Sequence, residues 1–303
     1  MTHGGRRKGA GRPRGSGRFD EPTRLVRIPD TLRPEVDRLL AEHAAKRTGV
    51  VPAKAGRQDA VTAPEHLIAG ITVLPPIDAL ALMENYRRNH RRFDVVHLDP
   101  VYESNDAAGR QRFARKTIEL IYAAAEISDH ILCWGFPASL GLLVDRWPRN
   151  WRMEGWVTWH FQNAPTRARG WRAAQNACLH LVSQNATTHP ENFYSDSQLD
   201  LAASGRLAFK PGPPNVVVSP MISGFALRSE SVGFRGGQKP VAVIEHVLKM
   251  CLPASGGHVL DPTCGAGTTG IAARNLIAYA TLSDRSTAAL RTTRKRLLQS
   301  APT

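Results

Sequence analysis

From about residue 68 onward, short apolar runs alternate with longer stretches whose apolar residues recur every three or four positions. The short runs have the length and composition of buried strands, and the longer ones have the spacing of helices with one apolar face. A strand–helix alternation of this kind argues for a largely parallel sheet covered by helices. The predicted strands are Ile71–Leu74, Asp94–Leu98, His130–Gly135, Trp156–Phe161, Cys178–Ser183, His258–Leu260 and Tyr279–Ser283. The predicted helices are Ala79–Asn89, Arg112–Ile127, Pro137–Trp147, Pro240–Leu252, Thr268–Leu276 and Ser286–Leu297. The expectation is an α/β fold with a mostly parallel, seven-stranded sheet flanked by helices. Residues 163–215, rich in Asn, Pro, Arg and Gly, break the rhythm and read as an insertion or a substrate-recognition segment.

The residues before this domain have a different character. Residues 1–20 are a Gly- and Arg-rich stretch of low complexity that cannot bury a core, and they read as a disordered basic arm. Within it, Gly11-Arg12-Pro13-Arg14-Gly15 resembles an AT-hook, in which Arg12 and Arg14 would enter the narrow minor groove of A·T-rich DNA. A merely solubilising tail has the same composition. Residues 21–65 contain an alternating stretch, Thr23–Pro29, and an amphipathic run from about Thr31 to Ala45 with Asp30 placed to cap it. This is either an accessory element or the beginning of a ribbon-helix-helix unit, followed by a linker. Net charge is +14, and six of the basic residues fall in the first nineteen positions, where there is no acid. Such a balance favours a polyanionic partner through release of phosphate counterions, without separating DNA from RNA or from a membrane surface. No apolar run reaches the ~20 residues that span a bilayer. The four cysteines are scattered with no CxxC pair, so neither a disulfide framework nor a metal site is indicated, and a cytoplasmic location fits.

Two loops carry chemistry. The first, Gly257–Gly270, reads strand, tight glycine turn, helix start. Gly265, Gly267 and Gly270 satisfy G-x-G-x-x-G, in which free helix N–H groups favour an anionic ligand end. That pattern alone admits a dinucleotide oxidoreductase, whereas the lack of a following Gly-Lys-Ser/Thr excludes a P-loop. The second loop, Asp99-Pro100-Val101-Tyr102, ends an apolar strand, and on its own it is an ordinary turn.

Together the two loops resemble the β group of DNA amino-methyltransferases. Asp261-Pro-Thr-Cys-Gly-Ala-Gly-Thr-Thr269 is similar to that family's Asp-Pro-Phe-x-Gly-Ser-Gly-Thr-Thr. Asp99-Pro-Val-Tyr102 is similar to its Asp-Pro-Pro-Tyr, with Val101 in place of the second Pro. Gln238-Lys239-Pro240 matches the segment leading into the helix before the cofactor strand, and Asp78 follows Ile77 where the family has Gly-Asp-Ala-Leu. The resemblance covers residues 70–297 in the permuted order that marks the β group, and it implies a Rossmann-like methyltransferase fold.

By this resemblance S-adenosylmethionine is the cofactor. It is held by Asp78, Gln238, Lys239, Asp261, Gly265, Gly267, Thr268 and Thr269. Asp99 and the Pro100 carbonyl take the target amine, and Tyr102 stacks on a base flipped out of double-stranded DNA. An Asp at the head of the catalytic loop favours adenine N6 over cytosine N4. Unaided, Asp78 reads as a helix N-cap. The family's ribose-binding Glu is replaced by Leu282, and Asp284 either substitutes for it or caps the next helix. A catalytically impaired DNA-binding homologue is the competing reading. A homodimer is compatible with the sequence, which names neither a recognition site nor a restriction endonuclease partner.

Overall fold

The computed structural model describes residues 66–68, 70–102, 106–164, 170–209, 211–223, 226–233 and 237–299. The expected basic arm with Arg12 and Arg14, the expected strand–helix element after it and the expected linker all lie outside the described residues. In chain order the strands are β1 (His66–Ile68), β2 (Ile71–Val73), β3 (Phe93–Leu98), β4 (Ser128–Gly135), β5 (Trp151–His160), β6 (Gln175–Ser183), β7 (Val216–Val218), β8 (His258–Asp261) and β9 (Tyr279–Leu282). The helices are α1 (Ala79–Arg88), α2 (Ala107–Ala125), α3 (Pro137–Leu140), α4 (Asp196–Ala203), α5 (Val241–Cys251), α6 (Thr268–Asn275) and α7 (Thr287–Gln299).

All the strands join one nine-stranded sheet in the order β1-β2-β9-β8-β3-β4-β6-β5-β7. Every predicted strand is present, and the count exceeds the expected seven because β1 and β7 add three residues each at the two edges. Three-residue segments are too short for alternation to register. The pairings β2–β9, β9–β8, β8–β3 and β3–β4 are parallel, and only β6 and β1 run against the majority. The helix predicted over Pro137–Trp147 stops at Leu140, continues as a 3-10 turn through Leu143, and is broken at Asp145, which adopts a left-handed φ of 60°. The stretch 163–215 is not a single excursion, because β6 runs through it and pairs with both β4 and β5.

The central strands are buried on both faces, as a parallel sheet between helical layers requires. One face packs against α1, α2 and α3 through Met83, Phe113, Ile121 and Leu140. The other packs against α5, α6 and α7 through Ile244, Leu248, Ile271 and Leu290. From β3 the chain passes through α2 to β4 on one side, and from β8 it passes through α6 to β9 on the other. The strand order therefore diverges between β3 and β8. A crevice opens at the C-terminal ends of strands at such a switch point.

Candidate active site

Val96 of β3 pairs with Leu260 of β8, so the next residue on each strand, His97 and Asp261, meet at the mouth of the crevice. Asp261 is 1% exposed, and hydrogen-bond donors surround its carboxylate. The Oδ2 atom accepts from Thr269 Oγ1 at 2.6 Å and from His97 Nδ1 at 3.1 Å. The Oδ1 atom accepts from the Thr263 amide at 2.9 Å and from its hydroxyl at 3.3 Å. On the far side of the imidazole, Trp134 Nε1 of β4 donates to His97 Nε2 at 2.9 Å. An indole N–H can only donate, so Nε2 is the acceptor nitrogen and Nδ1 carries the proton toward Asp261. A buried carboxylate is costly unless its lone pairs are satisfied, and here four bonds satisfy them.

The same network reaches the loop after β3. The Asp99 amide donates to Thr263 Oγ1 at 2.9 Å, joining residues 164 positions apart in the chain. The Asp99 carboxylate is held from both sides: Tyr102 Oη donates to Oδ1 at 2.8 Å and Lys239 Nζ to Oδ2 at 2.5 Å. Lys239 also donates to Tyr102 Oη at 2.9 Å, and its ammonium lies 5.0 Å from the centre of the Trp134 ring. Asn176 of β6 reaches the same phenol oxygen at 3.3 Å. Burial, reinforced by the neighbouring Asp99 charge, pushes the Tyr102 phenol well above its usual range, so it stays a protonated donor.

Between the two loops lies a cavity of about 340 Å³. It is lined by the loop from Asp99 to Tyr102, by Gln238 and Lys239, by Asp261, Gly265, Thr268 and Thr269, and by Asp284. The structure thus brings together Asp99, Pro100, Tyr102, Gln238, Lys239, Asp261, Gly265, Thr268, Thr269 and Asp284. Gly267 sits behind the lining with φ +75°, where a Cβ would meet the Thr293 side chain of α7 at 2.6 Å. Its absent side chain serves the packing of the turn against α7 rather than the approach of a ligand. Gln238 lines the cavity while bonding Glu230 O and the Val232 amide, which fixes the segment before α5.

Asp78 does not line the cavity. It caps α1, accepting from the Leu80 and Ala81 amides. Leu282 is fully buried, and its Cδ1 occupies the space that a Cβ on Gly270 would need. Asp284 faces the cavity instead, its Oδ2 accepting from the Gly265 amide at 3.0 Å and its Oδ1 from the Ser286 amide at 2.8 Å. His97, Trp134 and Thr263 join this network and are not among the site residues the sequence singles out. The available signal was Thr263, a hydroxyl residue where the resembled motif has Phe.

No family model matches the chain, and no curated protein matches it either. Solved structures do. The M1.HpyAVI–SAM complex superposes with a TM-score of 0.55 at 16% identity, over 75% of this chain and 99% of that one. PvuII DNA methyltransferase (cytosine-N4-specific) gives 0.55 at 12% identity, over 78% and 90%. TTHA0409, a putative DNA modification methylase of Thermus thermophilus complexed with S-adenosyl-L-methionine, gives 0.51 at 14% identity, over 75% and 93%. The chain therefore has the Rossmann-like fold of these methyltransferases.

Proposed function

We propose that the protein transfers a methyl group from S-adenosylmethionine to the exocyclic amine of a base flipped out of double-stranded DNA, with adenine N6 as the target. One observation carries this reading. Two loops from distant parts of the chain converge on one cavity, and the Asp99 amide is bonded directly to the glycine-loop residue Thr263.

The lining suits a zwitterionic nucleoside. Amides at the start of α6 favour a carboxylate end, and the Asp284 carboxylate can accept from hydroxyl or amine donors. A volume of about 340 Å³ also lies within the range of small-molecule sites. When bound, S-adenosylmethionine supplies an electrophilic methyl carbon. Asp99 and the Pro100 carbonyl then act on the base. An exocyclic amine is a weak nucleophile because its lone pair is delocalised into the ring. Hydrogen bonds from its N–H groups to these acceptors draw it toward tetrahedral geometry and orient the lone pair. The entering amine competes for the carboxylate oxygens that Tyr102 and Lys239 hold here. Tyr102, at the cavity wall, supplies the ring on which an extruded base stacks, which offsets part of a flipping cost of a few kcal/mol. The Asp at the head of the loop supports adenine N6 over cytosine N4, and the charge of +14 supports a DNA partner.

The test is base-resolved modification calling by long-read sequencing of DNA from cells expressing the wild type or Asp99→Ala. The expected result is N6-methyladenine at a discrete motif in the wild type only. Identical modification in both strains refutes the enzymatic reading, and N4-methylcytosine in its place reassigns the base. Calorimetry with S-adenosylmethionine separates an inert homologue, which gives no binding heat.

A further inference from the structure

Trp134, His97, Asp261, Thr263 and Asp99 form one unbroken hydrogen-bonded chain across β4, β3, β8 and both loops. It runs from Trp134 Nε1 to His97 Nε2, from His97 Nδ1 to Asp261 Oδ2, from Asp261 Oδ1 to Thr263 Oγ1, and from that hydroxyl to the Asp99 amide. Of these side chains Trp134 is fully buried, His97 is 2% exposed and Asp261 is 1% exposed, so water does not compete for the bonds among these three, while the bonds through Thr263 are part-buried at the cavity wall. Thr269, on the first turn of α6, is tied into the same carboxylate. We infer that Thr263 and His97 are positioning residues for methyl transfer, holding the backbone of Asp99 in fixed register with the glycine loop. This rests on the methyltransferase reading of the cavity.

The chemistry explains why these residue types are needed. Thr263 Oγ1 must accept from the Asp99 amide and donate to Asp261 at once, which a hydroxyl can do and a methyl cannot. His97 must accept on one nitrogen and donate on the other, so its tautomer is set by Trp134 and its orientation by Asp261. The Asp99 amide makes the direct bond to the glycine turn, whereas the Asp99 carboxylate reaches that turn only indirectly, through Lys239, whose carbonyl accepts from Thr268. Without that direct bond the backbone of Asp99 and Pro100 is held less firmly at its distance from whatever the glycine loop holds. Small displacements of reacting groups are expensive, up to about a hundredfold in rate for 1 Å.

The experiment compares Thr263→Val, which is nearly isosteric, with Thr263→Ser, which restores the hydroxyl. The assay is DNA methylation by the full chain under saturating S-adenosylmethionine. The expected result is a fall in kcat of about tenfold for Thr263→Val, in line with a partial misplacement. Calorimetric affinity for S-adenosylmethionine stays within about threefold, since the tether positions the acceptor rather than the cofactor. Thr263→Ser recovers most of the rate. His97→Gln, measured alongside, lowers kcat in the same sense, because a flexible amide holds Asp261 less firmly. An unchanged kcat in Thr263→Val overturns the inference. So does a loss of cofactor affinity that parallels the loss of rate, or a failure of serine to rescue. A wild type that methylates nothing overturns the functional reading itself, so the two failures are distinguishable.

Discussion

The Asp99–Lys239 pair makes a quantitative prediction through its asymmetry. The Lys239 side chain is 3% exposed, whereas that of Asp99 is 25% exposed at the cavity wall. Removing one member of a buried pair leaves an uncompensated charge and typically costs about 3–5 kcal/mol. Asp99→Ala strands an ammonium on a side chain only 3% exposed, leaving it the Tyr102 hydroxyl and the Trp134 and Tyr102 rings. Those cation–π contacts offset on the order of 1 kcal/mol, which leaves an expected loss of about 2–4 kcal/mol. Lys239→Met strands a carboxylate that keeps the Tyr102 donor and is open to water, so its expected cost is smaller, about 1–2 kcal/mol. The double variant removes both charges, and its loss falls short of the sum by about 2 kcal/mol. Urea unfolding followed by far-ultraviolet circular dichroism, with shared m-values, measures all three. An additive double variant, or a Lys239→Met loss larger than that of Asp99→Ala, refutes the reasoning. The first result means that the two charges do not depend on one another for their burial, and the second that the carboxylate is the costlier charge to strand.

Three further perturbations follow from the same geometry. Leu282→Glu, which restores the family's acid by sequence, should lower stability by more than about 3 kcal/mol without tightening cofactor binding, because position 282 is fully buried against Gly270. A melting curve and calorimetry decide it, and a stable variant with improved affinity would falsify this placement. Gly267→Ala should cost about 2–4 kcal/mol, combining a φ of +75° with a Cβ 2.6 Å from Thr293, and Thr293→Ser should recover part of it in urea unfolding. The third concerns pH. His130 Nδ1 and His180 Nε2 meet head-on at 3.0 Å with ring centroids 5.2 Å apart, the geometry of an N–H···N bond. Burial, with the adjacent His130, depresses His180 to about 3 in the folded state. The unfolded chain therefore binds the extra proton first. The neutral form's stability is intact above about 6.5 and is lost progressively as pH falls toward 3, at up to about 1.4 kcal/mol per unit. Stability measured from pH 7 to 5 should fall less steeply in His180→Gln than in the wild type, and equal slopes would count against it.

What was legible in the sequence is what repeats or is local. Seven strands and most helices follow from periodicity, and Asp78 as an N-cap follows from its place before an amphipathic run. The glycine turn and the Asp-Pro-x-Tyr loop are each contiguous and so visible one by one, and their assignment to one site came from the resemblance of both motifs to one family. The missed features are side-chain partnerships across strands. Nothing local to His97 says that it bonds Trp134 on one side and Asp261 on the other, since those residues come from different strands. Lys239 was expected to serve the cofactor, yet its ammonium bonds Asp99 and Tyr102. A Lys on the lead-in to a helix has several reachable partners, and only the fold decides among them.

The permuted motif order follows from the same topology. A crevice of this kind needs two neighbouring parallel strands whose onward connections leave in opposite directions, and it does not depend on which strand is made first. Here β3 turns toward β4 and β8 toward β9, so the Asp99 loop and the glycine loop emerge side by side although β3 precedes β8 by far in the chain. Contiguity in space is then secured by the bond from the Asp99 amide to Thr263, which ties the two loops directly. It follows that a circular permutation that joins the termini and opens the chain between β7 and Arg228, ahead of the Gln238-Lys239 segment that lines the cavity, should keep the cavity. The same cut placed between β3 and α2 would free the Asp99 loop at one end and remove the constraint that sets its register.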